Sequence, residues 1–297
     1  MRLTFCRPIR VWKFLLDIQP TVPPWATFCR ASGALAVLIL FFAVSAMAQT
    51  NTLSDAEIQG HELAQQLYAA RPTESISNSG ILHIRNEQNS PKEIPPVIFT
   101  RTSVTQSNWL SIFTVYHYQE INSNSSYHKQ IDWLVVTHVS GQGNQYKLIK
   151  NSFQWSAQKS TTELEDESVS VLSDENTMIP FANSDFWVAD FGLEFFHWPA
   201  QKILPKTTNL KRGREYTLLE STNPNPSTNG YSRVLSWIDK ETGGILEAEA
   251  YDFNGKLLKD FAPKSFKKVN GQWELQEMEI RNVQTGSSTK LEFDLKK

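Results

Sequence analysis

The chain has 297 residues, 40% of them hydrophobic and 20% charged, with two cysteines and a formal net charge of −2. This composition excludes a disordered chain, a collagen-like chain and a disulfide scaffold, and it gives no general attraction to nucleic acid. The length admits one large β-domain or two ordinary domains.

The first expected element is a signal for export. Residues 34–46 read ALAVLILFFAVSA, shorter than the roughly 18 apolar residues a membrane-spanning helix needs. Arg30 precedes the run, and Ala46-Met47-Ala48 supplies small residues before a cut, so cleavage is expected after Ala48. The alternative for this run is an uncleaved anchor. The stretch ahead of Arg30 is either an extended basic flank or the product of a start codon assigned too far upstream. Cys6 and Cys29 both lie before the cut, so the mature chain would form no disulfide and use no thiol nucleophile. Residues 49–297 would carry 24 basic and 30 acidic residues, a net charge near −6, which argues against a polybasic membrane-surface binder.

Ser54 with Glu57 forms a capping-box pattern, and Ala56, Gly60, Leu63, Ala64 and Leu67 follow at helical spacing. Pro72 ends this amphipathic helix near Ala70, and its apolar stripe must meet another apolar surface. The pattern then turns to β. Strands are expected over 80–85, 97–105, 109–120, 131–139 and 146–150, with breakers at 89–96, 106–108 and 141–144. In 131–139 the residues Ile131, Trp133, Val135, Thr137 and Val139 share a face. Residues 160–175 are acidic and poor in apolar groups, and read as a solvated loop or an edge strand.

Residues 185–199 hold six aromatics: Phe186, Trp187, Phe191, Phe195, Phe196 and Trp198. Ser184 or Asp185 could cap a short helix here, and Pro199 would end it. Its apolar residues, Leu193 among them, would lie all round, where a surface helix shows only a stripe. Such a helix is either packed core or the lid or wall of an apolar ligand pocket. Phe186, Trp187, Phe191, Leu193, Phe195, Phe196 and Trp198 are the candidate ligand-binding residues.

The C-terminal part reads as an antiparallel meander, with strands at 216–220, 231–239, 245–252, 256–269, 272–282 and 288–295. Turns fall at 241–244, Asn254-Gly255, Asn270-Gly271 and 284–286. In 272–282 the apolar positions change face, from Trp273 and Leu275 to Met278 and Ile280, which predicts a bulge or strong bend near Gln276. No linker interrupts the series, so residues 49–297 are expected to form a single domain of about ten strands. The G-x-S-x-G, phosphate-loop and H-E-x-x-H patterns do not occur, and the histidines lack zinc-ligand spacing. A non-enzyme is expected, with no catalytic residue, no metal site and no cofactor.

Trp237-Ile-Asp-Lys-Glu-Thr-Gly-Gly244, then Glu249-Ala-Tyr-Asp-Phe-Asn-Gly-Lys-Leu-Leu-Lys259, Val269-Asn-Gly-Gln-Trp273 and Met278-Glu-Ile-Arg-Asn282 resemble the outer-membrane lipoprotein-sorting protein family, in a poorly characterised branch of the LolA/LolB-like superfamily. Ser184-Asp-Phe and Asp190-Phe-Gly-Leu-Glu194 are similar to that family's short acidic-aromatic helix. The resemblance implies an α+β, mainly antiparallel β fold: a strongly curved, incompletely closed β-barrel, or half-barrel, with helices covering the concave face. It also implies a periplasmic, monomeric carrier whose apolar cavity holds lipoprotein acyl chains or another lipid. A non-catalytic module with a filled core, binding an envelope protein partner, is the alternative. Neither reading calls for nucleic acid, or for a membrane span after cleavage.

Overall fold

A computed structural model describes residues 53–85, 95–105, 108–122, 126–139, 142–156, 161–172, 176–269 and 272–295. The expected export signal at 1–48, most of the 89–96 breaker and the Asn270-Gly271 turn lie outside these residues.

The first element, α1 (Asp55–Ala69), begins as its capping box requires. Ser54 donates its backbone N–H to Glu57 Oε2 at 2.7 Å, and its hydroxyl accepts from Glu57 N. The buried stripe is Gly60, Ala64 and Leu67.

Thirteen strands follow among the described residues, in one antiparallel sheet. The N-terminal series is β1 (Ser77–Arg85), β2 (Val97–Val104), β3 (Asn108–Asn122), β4 (Ser126–Val139), β5 (Gln145–Ser156) and β6 (Thr161–Leu172). The C-terminal series is β7 (Ala200–Leu204), β8 (Tyr216–Thr222), β9 (Arg233–Asp239), β10 (Ile245–Tyr251), β11 (Leu257–Val269), β12 (Gln272–Asn282) and β13 (Ser288–Phe293). Each series is a meander, and the two are joined where β1 pairs with β13, from Gly80 opposite Phe293 to Arg85 opposite Ser288. The strand order therefore runs from β6 through β1 and β13 to β7. β6 and β7, consecutive in the chain, stand at opposite edges. The barrel is not closed, as the half-barrel expectation requires.

The strand count exceeds the expected total of about ten: eleven strands answer to the ranges expected from sequence, and β6 and β7 are additional. Of the acidic 160–175 stretch, residues 161–172 form the edge strand β6, one of the two alternatives. The bulge is where the face change placed it: Ser265 faces Glu277, Phe266 faces Leu275, and Gln276 is skipped. In β4 the core face is the one opposite the apolar set that shares a side. Leu134 and Val136 are fully buried, and His138 shares their side, while Trp133 and Val135 sit on the other face.

The short helix expected after Asp185 is two pieces. α2 (Val188–Gly192) is a single turn, and a 3-10 turn spans Glu194–His197. Leu193 separates them with a positive φ of 49°, so the axis cannot continue. The N-cap is Trp187 rather than Ser184 or Asp185. Asp190 Oδ2 accepts the Trp187 backbone N–H at 2.7 Å and substitutes for a capping side chain.

Two hydrophobic clusters fill the inner face. One joins Leu82, Ile98, Val115, Leu134 and Tyr146 of the N-terminal series to Phe181, Phe186 and Val188 of the crossing segment, the stretch between β6 and β7 described over residues 176–199, and continues onto β12 and β13. The other joins Leu67 of α1 and Phe195, Phe196 and Trp198 of the crossing to Leu219, Val234 and Ile238.

The motif residues of the C-terminal meander build turns. Asp239 Oδ2 accepts from Thr242 Oγ1 at 2.6 Å and from Arg214 Nε at 2.7 Å. Asp252 Oδ1 accepts the Asn254 and Lys256 N–H groups, each at 2.9 Å. Only Gly255 of the Asn-Gly pair has a positive φ, so this is a wider loop tied by Asp252 rather than a two-residue hairpin.

α1 lies directly on β7. A Cβ on Gly60 would stand 2.5 Å from the backbone nitrogen of Lys202, which cannot swing away. Gly60→Ala should therefore lower stability by about 1–3 kcal/mol despite the better helix propensity of alanine. A melting temperature equal to or above that of the native chain would show that the helix does not rest on this edge.

Candidate functional site

The inner clusters do not meet everywhere. A cavity of about 220 Å³ remains between the sheet, the C-terminal turn of α1 and the crossing segment. Its walls are mainly apolar, including Phe113, Phe261, Met278 and Leu291 from the sheet and Phe191 and Leu193 from the crossing. Space exists because β10 presents Ala248 and Ala250 inward, where a strand normally places larger residues. The positive φ at Leu193 redirects the chain between the two turns, and Leu193 borders the cavity.

The seven expected ligand-binding residues divide into two groups. Phe186, Phe191, Leu193 and Phe195 line the cavity. Trp187, Phe196 and Trp198 are buried in the second cluster and do not line it. Phe191 is the central wall residue, its ring 4.5 Å from Phe113, 5.2 Å from Phe181 and 5.6 Å from Phe186. Trp187 instead stacks on Tyr231 at 4.5 Å.

One side of the cavity is polar. Lys259 on β11 is 2% exposed and lies on the cavity wall. Its ammonium donates to the Asp185 carbonyl at 2.6 Å and sits 3.6 Å over the Trp187 ring. Burial lowers its pKa to about 7, against the opposing pull of Asp190 and Asp185. Asp190 also borders the cavity, and its carboxylate accepts from Trp187 N and from the Tyr231 hydroxyl at 3.1 Å. Burial raises the Asp190 pKa, with Lys259 the main opposing influence. Burial and then Asp190 push the Tyr231 phenol well up.

Elsewhere on the wall, His138 stacks on Trp109 at 3.4 Å, with Nε2 3.3 Å from Ser111 Oγ. Burial lowers the His138 pKa to about 3, so the ring is neutral. His197, stacked on Tyr68 at 4.4 Å, lines the same cavity.

The acids of the aromatic segment hold the crossing in place. Asp185 accepts from Ser287 Oγ at 2.5 Å and Thr289 Oγ1 at 2.8 Å. Buried Glu194 accepts from the Tyr146 hydroxyl at 2.6 Å. Asn144 donates to the Gly192 carbonyl at 2.7 Å, and a side chain at Gly192 would collide with Tyr146. Among the described residues no group of His, Cys, Asp and Glu is placed to hold a metal ion, and no helix is long and apolar enough to cross a membrane.

Sequence reasoning missed Lys259, His138, Ala248 and Ala250 as wall residues. Lys259 occupies the inward position of β11 between Leu257 and Phe261, but Leu258 and Ala262 make the other face of that strand apolar too, so alternation does not single it out.

The fold is similar to a solved structure described as an outer membrane lipoprotein-sorting protein domain from Vibrio parahaemolyticus. That likeness has a TM-score of 0.54 at 20% identity and covers 80% of this chain and 92% of that one. A DUF1329 family protein from Desulfovibrio piger matches with a TM-score of 0.45 at 17% identity, covering 81% and 92%. A LolA superfamily protein from Nitrosomonas europaea matches with a TM-score of 0.42 at 14% identity, covering 82% and 93%. A family model described only as an uncharacterized protein matches residues 166–296. No curated protein matches in sequence.

The depressed Lys259 pKa has a stability consequence. From about pH 7 to above pH 10 the unfolded chain holds a proton on Lys259 that the native chain lacks, so this residue makes stability rise with pH across that window. Below pH 7 the native ammonium is a buried charge without a carboxylate in contact, which is costly. Lys259→Met should raise the melting temperature at pH 6 and flatten the stability profile between pH 7 and 10. An unchanged profile, measured by denaturant titration across that range, would overturn the assignment.

Proposed function

We propose that residues 49–297 form a single-domain periplasmic carrier that shelters acyl chains, of lipoproteins or of another lipid, in the cavity beneath the aromatic crossing. The observation that carries this reading is the unfilled apolar space of about 220 Å³ at the centre of the curved sheet. Packed interiors rarely leave such voids, and an apolar cavity of roughly 150 Å³ already admits benzene. Each methylene moved there from water gains about 0.8 kcal/mol. The signal-like sequence of residues 1–48 supports export, and the likeness to the Vibrio domain supports a role in handling lipid-modified proteins. On this reading the chain is a monomer and not an enzyme. The polar groups at the cavity orient or admit ligand rather than transform it.

Filling the cavity tests this directly. Ala248→Trp adds a large side chain to a wall that has room for it, so binding of an environment-sensitive apolar dye should be lost with a melting temperature within a few degrees of the native chain. Trp187→Asp, by contrast, places a charge in the packed cluster and should unfold the protein. Native mass spectrometry of gently purified protein should find a lipid in the native chain and none in Ala248→Trp. Undiminished dye binding by Ala248→Trp would place the dye elsewhere and favour the envelope protein-interaction module.

A further inference from the structure

The carrier reading leaves the Lys259 ammonium unexplained. A carrier of neutral apolar chains has no use for a cation in its cavity wall, and the strand alternation of β11 would be served by leucine. The ammonium is nearly inaccessible to outside water, yet its direct partners are one backbone carbonyl and two ring faces, Trp187 at 3.6 Å and Tyr231 at 5.4 Å. It forms no ion pair with a carboxylate among the described residues, although Asp190 and Asp185 are close enough to act on it through space. Asp190 is already occupied by the Trp187 N–H and the Tyr231 hydroxyl. The cavity itself is small, of a size for one chain rather than several. From Lys259 its wall continues along Phe261, then Met278 and Leu291 on the neighbouring strands, which is an apolar track leading away from a buried cationic point; Arg101, the other cation of the lining, is exposed.

We propose that the cavity selects single-chain amphiphiles with an anionic head, the head pairing with Lys259 and the chain lying along Phe261, Met278 and Leu291. This rests on the carrier reading and adds the class of ligand. A bound anion would supply the charge partner that the fold withholds, and charge-assisted hydrogen bonds of this kind are stronger than neutral ones. Asp190 would lie on the border of the head site, where its own negative charge opposes an anion.

The test compares heads on one chain. Decanoate, decyl phosphate and methyl decanoate are titrated against the native protein by displacement of the apolar dye at pH 6. The anionic ligands should bind about tenfold or more tightly than the ester. Lys259→Met should bring acid and ester to the same affinity, and Asp190→Asn should widen the difference. The decanoate and phosphate arms separate a carboxylate preference from a general preference for anions. Equal affinity of acid and ester for the native protein would overturn the head-group proposal and leave the carrier standing, with Lys259 reduced to holding the Asp185 carbonyl. Failure of all three ligands and of the dye to bind would overturn the carrier reading itself. The comparison on the native chain stands even where a variant does not fold.

Discussion

Everything in this molecule depends on one topological demand: the chain leaves the sheet at one edge, β6, and must re-enter it at the opposite edge, β7. The shortest route lies across the concave face, so a stretch of irregular backbone is driven into the most apolar part of the protein. Buried backbone without partners is unaffordable, and the crossing meets this in two ways. It bonds to itself, with Phe181 N–H on Phe186 O at 2.8 Å and Val188 N–H on Ile179 O at 3.0 Å. It also reaches the sheet through its three acids, where Asp185 meets Ser287 and Thr289, Asp190 meets Tyr231, and Glu194 meets Tyr146. Its aromatic side chains then serve as the core that a closed barrel would have built from strands alone.

A core supplied by one irregular segment cannot interdigitate with the sheet as evenly as a regular layer would. Where the crossing turns at Leu193 and the sheet offers only Ala248 and Ala250, the two surfaces stand apart. The cavity is thus a by-product of the crossing's geometry as much as of any single residue. It keeps its shape because the clusters on either side of it are dense.

The sequence made much of this legible, for identifiable reasons. The capping box of α1 and the change of face in β12 are local rules, and both appear as written: Ser54 caps the helix, and Gln276 is the bulge. The aromatic stretch was legible as something that must meet apolar surface on several sides, since no stripe pattern fits it. Its breakage into two turns was not, because the positive φ at Leu193 arises from tertiary packing and leucine carries no mark of it. Lys259 and His138 were obscured in a similar way. Each sits in a strand whose inner and outer faces both hold apolar residues, so alternation alone could not say which face is covered. The division of the seven candidates, with Phe191 on the cavity and Trp187 in the core, depends on which strands lie opposite, and a meander read from sequence leaves that curvature open.

The pairing of β1 with β13 places the first and last strands side by side in the middle of the sheet rather than at its rims. Neither meander has its central neighbour until the last strand has been made. Six residue pairs, from Gly80 with Phe293 to Arg85 with Ser288, join the two halves across about two hundred residues of intervening chain. Assembly is therefore a late and long-range event. A chain still emerging from its ribosome has no route to the finished half-barrel until β13 has been made.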